Sequence, residues 1–111
     1  MLYLRHNPPA SKLPAGTVGA IAELRVSVDL LSKGYEVFRA LNPSCPCDLA
    51  ILCDNRLFRV EVRTAHRSGY TGKVYCDPSK KEYYDILAQV LPEQIVYIPE
   101  LILAMPPPVA L

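Results

Sequence analysis

Two short segments, Cys47-Asp48-Leu49-Ala50-Ile51 and Val60-Glu61-Val62-Arg63, constrain this chain more than any other feature. Both read as β-strands. Asp54-Asn55 between them is a turn pair that tolerates left-handed dihedrals, so the strands pair as a hairpin. In the second strand Leu57, Arg59, Glu61 and Arg63 fall on one face. Phe58, Val60, Val62 and Thr64 fall on the other, because side chains alternate along a strand. The apolar row is expected on the core, under a helix, and the charged row on the opposite, functional face. An Asp entering one strand and a Glu on its neighbour then converge, which suits a hard divalent cation. A cation so held activates water and stabilises a phosphate transition state.

The rest of the chain bounds what such a site can sit on. With 111 residues there is room for one domain with one core. Half the residues are hydrophobic and 21% are charged, which is globular rather than disordered. No apolar run approaches a membrane span, and Met1 to Pro9 lacks a signal-peptide core, so a soluble, cytoplasmic protein is expected. Four cysteines are present, Cys45, Cys47, Cys53 and Cys76. Without an export signal they do not read as a disulfide framework. Cys45-Pro46-Cys47 is one residue short of the usual zinc hook, and Cys53 reads as a small core residue.

The net charge of +1 conceals an asymmetry. Residues 56–81 carry Arg56, Arg59, Arg63, Arg67, Lys73, Lys80 and Lys81 against Glu61 and Asp77, a net +5, and the remainder carries −4. This is either a field that steers a polyanion towards the carboxylates or a solvated loop that is basic by chance. Tyr70, Tyr75, Tyr83 and Tyr84 lie in or beside the basic region. They either stack on bases and sugars or pack under loops.

Local patterns complete the outline. Residues 1–16 are Pro-rich and read as an extended arm. Thr17 is a plausible N-cap, followed by Val18, Ile21, Ala22, Val28 and Leu31 at helical spacing, with Arg25 interrupting the stripe. Gly34 is the stop. Tyr35 to Ala40 is a strand, 42–46 a loop, 48–53 and 56–65 the hairpin, and 66–73 a Gly-containing loop. Val74 to Cys76 is a short strand and 79–84 a helical turn. Residues 86–90 and 94–98 form a further strand pair. The apolar tail, 100–111, and the arm are expected to serve as an interface, leaving 17–99 as the core domain. The class is α/β in the broad sense, α+β with a mixed sheet.

This order resembles the PD-(D/E)xK nuclease superfamily, in particular its small resolvase-like and homing-endonuclease-like branches. Four stretches carry the resemblance. They are Gly19-Ala20-Ile21-Ala22-Glu23 with Leu30-Leu31-Ser32-Lys33-Gly34-Tyr35-Glu36-Val37; Cys47-Asp48-Leu49-Ala50-Ile51; Phe58-Arg59-Val60-Glu61-Val62-Arg63-Thr64; and Tyr84-Asp85-Ile86-Leu87-Ala88 with Val96-Tyr97-Ile98-Pro99. It implies a restriction-endonuclease-like core, a helix followed by a hairpin-bearing mixed sheet flanked by helices. It also implies a metal-dependent endonuclease acting on DNA; a domain of 111 residues offers little surface to grip a duplex, so a homodimer or higher oligomer is expected. Asp48 and Glu61 would bind Mg²⁺ or Mn²⁺ with the Val62 carbonyl, and Glu23 would reach the metal or its water. Thr64, His66 and Arg67 would contact DNA, with Lys73, Lys80 and Lys81 in the same basic region. Cys47 stands where the family has Pro, and Arg63 where it has Lys. Arg does not deprotonate, so it holds a phosphate but is no general base. The resemblance therefore leaves open a working nuclease or a weakened fold that binds nucleic acid or a protein without cutting. A plainer reading leaves both carboxylates as strand residues paired with Arg59 or Arg63.

Overall fold

A computed structural model describes residues 12–78 and 80–100. Most of the expected arm (residues 1–11) and the tail (residues 101–111) lie outside the described residues. Helix α1 (Ala15–Ser32) is followed by β1 (Glu36–Arg39), β2 (Leu49–Cys53), β3 (Arg56–Arg67), β4 (Val74–Cys76), β5 (Ile86–Val90) and β6 (Ile95–Ile98), with a 3₁₀ turn at Lys81–Tyr83 between β4 and β5. The six strands form one mixed sheet in the order β1-β2-β3-β5-β6, with β4 paired to β3. Every pairing is antiparallel except β3 with β5, which is parallel.

The β2–β3 turn forms where the sequence places it: Asp54 and Asn55 both take positive φ, 53° and 63°. The end of the helix also matches expectation. Gly34 sits at φ +91°, its N–H bonds to the Leu31 carbonyl, and the Tyr35 N–H bonds to the Leu30 carbonyl. That closed C-terminal turn satisfies carbonyls the helix leaves open and swings the chain into β1.

The start of the helix differs from expectation. Pro14, not Thr17, occupies the N-cap, and its carbonyl accepts from the N–H groups of Thr17 and Val18. Proline's fixed φ matches a helix entry, so the helix begins before Thr17. The buried side differs too. Ala22, Val26 and Leu30 pack on the sheet, whereas Ile21, Leu24, Val28 and Leu31 are 43–65% exposed. Ala22 belongs to both stripes; spacing 22-26-30 is as regular as the expected spacing, and the sheet takes Val26 and Leu30 with it. The expected second flanking helix is, among the described residues, only the 3₁₀ turn.

Register explains the core. Leu49, Val60 and Ile86 are cross-strand partners in one row, and Val62, Ala88 and Tyr97 in the next. Partners share a face, so both rows lie under α1 and join its three buried residues in one core cluster. Fully burying one such side chain contributes about 1.5–3 kcal/mol. Truncating Leu30, which has no exposed surface, to Ala is expected to cost about 2–5 kcal/mol.

Candidate active site

β3 is longer than any of its neighbours, and that sets up the site. On one edge β2 pairs with residues 56–60 and β4 with residues 65–67. The Val62 and Ser68 amides, both even-numbered, point to this edge, towards Asp48 and the Lys73 carbonyl. The odd-numbered Arg59 amide points to the other edge, at Asp85. Among the described residues, 61–64 therefore have no strand partner on the β2 side. The chain leaves this notch at Asp48, just before β2, and at Asp77, just after β4.

The Asp48 carboxylate fills part of the gap: its Oδ2 accepts from the Val62 N–H at 2.9 Å. A strand residue directs its N–H and C=O to the same edge, so the Val62 carbonyl also faces the notch. A cavity of about 540 Å³ opens here. Ala15, Val18, Gly19, Ala22 and Glu23 of α1 form one wall. Asp48, Glu61, Val62, Arg63, Thr64 and Asp77 form the rest. The first turn of α1 carries no acidic residue and no side-chain cap, so the positive end of its dipole borders the cavity unneutralised.

The electrostatics of the notch are frustrated. Glu61 is only 8% exposed. Its pKa is pushed up to about 7, first by burial, then by hydrogen bonding to Asp48 and the Asp48 charge; Arg63 opposes and Glu23 reinforces the shift. Glu23 is also raised, by burial and then by Asp48, with Arg39 of β1 opposing. Asp48 thus acts on both Glu61 and Glu23, while Arg63 Nε forms a long ion pair with Glu61 Oε1 at 3.9 Å, the Arg63 half of the plainer reading. A divalent cation fits this donor set. Mg²⁺ commonly takes one or two protein carboxylates and keeps its remaining positions for water and phosphate. Among the described residues no three His, Cys, Asp or Glu side chains form a ready-made metal cage.

The structure brings Glu23, Asp48, Glu61, Val62, Arg63 and Thr64 together around one cavity, on the edge of the sheet rather than on the open face expected for the charged row. The plainer pairing of Glu61 with Arg59 does not form. Arg59 instead makes a forked ion pair with Asp85, through Nε at 3.2 Å and Nη2 at 3.2 Å. The basic region divides in two. His66, Arg67 and Lys73 lie on the β3–β4 hairpin. Lys80 and Lys81 lie beside Glu82, whose carbonyl accepts from Arg59. From Arg59 to His66 along β3 is about 23 Å at ~3.3 Å per residue. Lys80 lies over the Tyr83 ring. Arg67 donates to the Gly72 carbonyl at 3.1 Å and reaches Glu93 at 3.4 Å. Sequence reasoning missed Asp77 and Arg39. Neither has a local signal, since each reaches the site only through sheet register.

Cys45 and Cys47 lie 3.9 Å apart at Sγ, and all four cysteines are free thiols. No helix among the described residues is long and apolar enough to cross a membrane.

No protein-family model matches this chain, and no curated protein does. Among solved structures it is similar to that of a bacterial homing endonuclease, I-Ssp6803I, with a TM-score of 0.62 and 21% sequence identity. The match covers 76% of this chain and 62% of the other, so the chain spans less than two thirds of that structure's length. At this identity the likeness is one of fold: the chain has a nuclease-like α+β fold.

Proposed function

We propose that the chain is a metal-dependent endonuclease-like domain that hydrolyses DNA phosphodiester bonds, with the notch on β3 as its active site. The observation that supports this best is the meeting of Asp48 and Glu61 in one cavity, where burial and Asp48 disfavour the charge on Glu61. Carboxylates placed against their own electrostatics mark functional sites more often than structural ones.

Asp48 and Glu61, with the Val62 carbonyl, would hold Mg²⁺ or Mn²⁺. When bound, the cation supplies an acidified water and offsets charge at the phosphate. Asp48 is oriented by the Val62 amide, which holds one of its carboxylate oxygens at 2.9 Å. Glu23, across the cavity on α1, accepts from the attacking water and aligns it. Arg63 grips the scissile phosphate and stabilises the charge that develops on it. The bare end of α1 adds a favourable field for the same anion.

The domain acts as a homo-oligomer, because it is small against a duplex. The exposed Ile21, Leu24, Val28 and Leu31 form an apolar strip on α1 that association would cover. A second reading is a fold that binds DNA without cutting, favoured by Arg63 in place of Lys. Supercoiled plasmid nicking with Mg²⁺ and with Mn²⁺ decides between them, comparing wild type, Asp48→Asn and Arg63→Lys. Metal-dependent nicking lost in Asp48→Asn supports the nuclease. Tight DNA binding with no nicking by wild type or Arg63→Lys supports the second reading.

A further inference from the structure

Two thiols lie one and three residues before Asp48 and have no part in the proposed reaction. Cys45 and Cys47 place their Sγ atoms 3.9 Å apart. The backbone between them keeps them close. Pro46 has its φ fixed by its ring, and residues two apart in a bent loop fall within the ~4.4–6.8 Å Cα separation that a disulfide spans. The Cys45 N–H donates to the Asn42 carbonyl at 3.0 Å and the Ser44 N–H to Asn42 Oδ1 at 2.9 Å, which ties the front of the loop down. Cys45 is exposed and Cys47 half-buried. The other two thiols are occupied elsewhere. Cys53 packs against the core cluster, and Cys76 Sγ accepts from Gln89 Nε2 at 3.4 Å. Among the described residues no group of three metal-ligating side chains includes the pair, so the chemistry open to it is that of two neighbouring thiols.

We propose that Cys45 and Cys47 form a reversible redox site, converted from dithiol to disulfide by low-molecular-weight disulfides, and that the disulfide disarms Asp48 as a cation ligand. The second half rests on the reading of Asp48 as such a ligand. A small disulfide reaches the exposed Cys45 first. The Cys45 sulfur attacks one of its sulfurs, giving up its proton to solvent, and the first small thiol leaves. The Cys47 sulfur then attacks Cys45, loses its proton in turn and expels the second small thiol. The protein gives up two electrons and two protons, and the small disulfide is reduced to two thiols. Closing the bond brings the sulfurs about 2 Å nearer. Pro46 cannot turn about φ and Cys45 is tied to Asn42, so the link from Cys47 to Asp48 yields. Asp48 is seated by that link. Its carbonyl accepts from the Ala40 N–H at 3.3 Å and its Oδ2 from the Val62 N–H at 2.9 Å. The dithiol form is the one in which Asp48 meets Val62, so a cation on Asp48 favours the dithiol, and oxidation weakens the cation by the same factor. An exposed disulfide of this kind is easily reduced, which makes the change reversible.

The test treats wild type, Cys45→Ser and Cys53→Ser with oxidised glutathione, removes the small molecules, and counts free thiols in denaturant beside the intact mass. The count should fall from four to two in wild type and from three to one in Cys53→Ser, with two hydrogens lost and no glutathione added. Dithiothreitol should restore it, and Cys45→Ser should form no internal disulfide. Calorimetric titration with Mn²⁺ then reads the coupling. Affinity should fall about tenfold or more on oxidation of wild type, and the treated Cys45→Ser should bind as reduced wild type does. Saturating Mn²⁺ should raise the midpoint potential of the pair by ~30 mV for each tenfold. A wild-type count that stays at four, a mass that gains glutathione in place of losing two hydrogens, or a thermal melt abolished by oxidation overturns the redox site. A disulfide that forms and leaves Mn²⁺ affinity unchanged overturns its control of Asp48, and the cation reading stands. No Mn²⁺ binding by the reduced protein overturns the cation reading and that control together, whatever the thiol count.

Discussion

Arg59 and Glu61 are two residues apart on one strand and live in opposite electrostatic worlds. Arg59 meets Asp85, a charge of the other sign, in a forked bond that also takes in the Arg59 amide, and the Asp85 pKa falls chiefly through its hydrogen bond to that side chain. Glu61 meets Asp48, a charge of the same sign, and its pKa rises to about 7. The first pair locks the start of β5 against β3. The second sets burial and the Asp48 charge against ionisation of Glu61, with Arg63 opposing from 3.9 Å, and such a perturbed carboxyl in a cleft is the usual mark of a site kept for chemistry. One strand thus holds a fastener and a reaction centre a few ångströms apart, and the sign of the partner separates them.

The largest effect expected from this contrast is functional. Glu61→Gln should lower metal-dependent nicking by at least ~100-fold, about 3 kcal/mol of barrier. The same variant should gain about 1–3 kcal/mol of unfolding free energy at pH 8 in urea titrations without metal, since Gln has no charge to bury. A Gln variant that is less stable than wild type would show that the pair is structural.

The pH dependence sharpens the comparison next. The Glu61 pKa is raised in the fold, so its contribution is fully present below about pH 4.5 and lost as the pH rises through about 7. The Asp85 pKa is lowered, so its contribution is present above the ordinary aspartate range and lost as the pH falls through the depressed folded value. Stability curves of Glu61→Gln and Asp85→Asn should therefore meet the wild-type curve in acid and leave it in opposite directions as the pH rises, Glu61→Gln towards higher stability and Asp85→Asn towards lower. Saturating Mg²⁺ should flatten the Glu61 limb. A smaller loss, about 1 kcal/mol, is expected for Asp85→Asn at pH 7, because its pair with Arg59 is partly exposed. Last, Val28→Lys on the exposed side of α1 should move the melt by no more than ~0.5 kcal/mol. It should nevertheless convert an oligomer to monomer in light scattering.

The contrast was only half legible in the sequence. The β2–β3 hairpin was visible because Asp54-Asn55 sits between alternating runs, and that hairpin alone brings Asp48 opposite the Val62 amide. The end of the helix was visible in Gly34. The inward side of α1 was not, because Ile21, Leu24, Val28 and Leu31 are as apolar as Ala22, Val26 and Leu30, so spacing could not choose between them. Asp85 read only as part of a strand-leading motif. Its capture of Arg59, and the arrival of Asp77 at the notch, depend on where the chain after β4 crosses back, and no local pattern encodes that path.

That crossing has a kinetic consequence. The strands β1, β2, β3 and β4 pair with their sequence neighbours across the loop 40–48, the turn 54–55 and the loop 68–73, and β5 and β6 form their own hairpin. The parallel ladder of Val60–Thr64 with Ile86–Val90 is the one strand pairing that has to close a long loop. Contacts of that kind form late, after the loop entropy has been lost. The Asp48–Val62 contact belongs to the early unit, but Glu61 acquires its cross-strand neighbour, Leu87, only when β5 docks. The penalty for enclosing the Glu61 charge then falls on the final approach to the native state, so mild acid should speed assembly and leave the earlier hairpins indifferent.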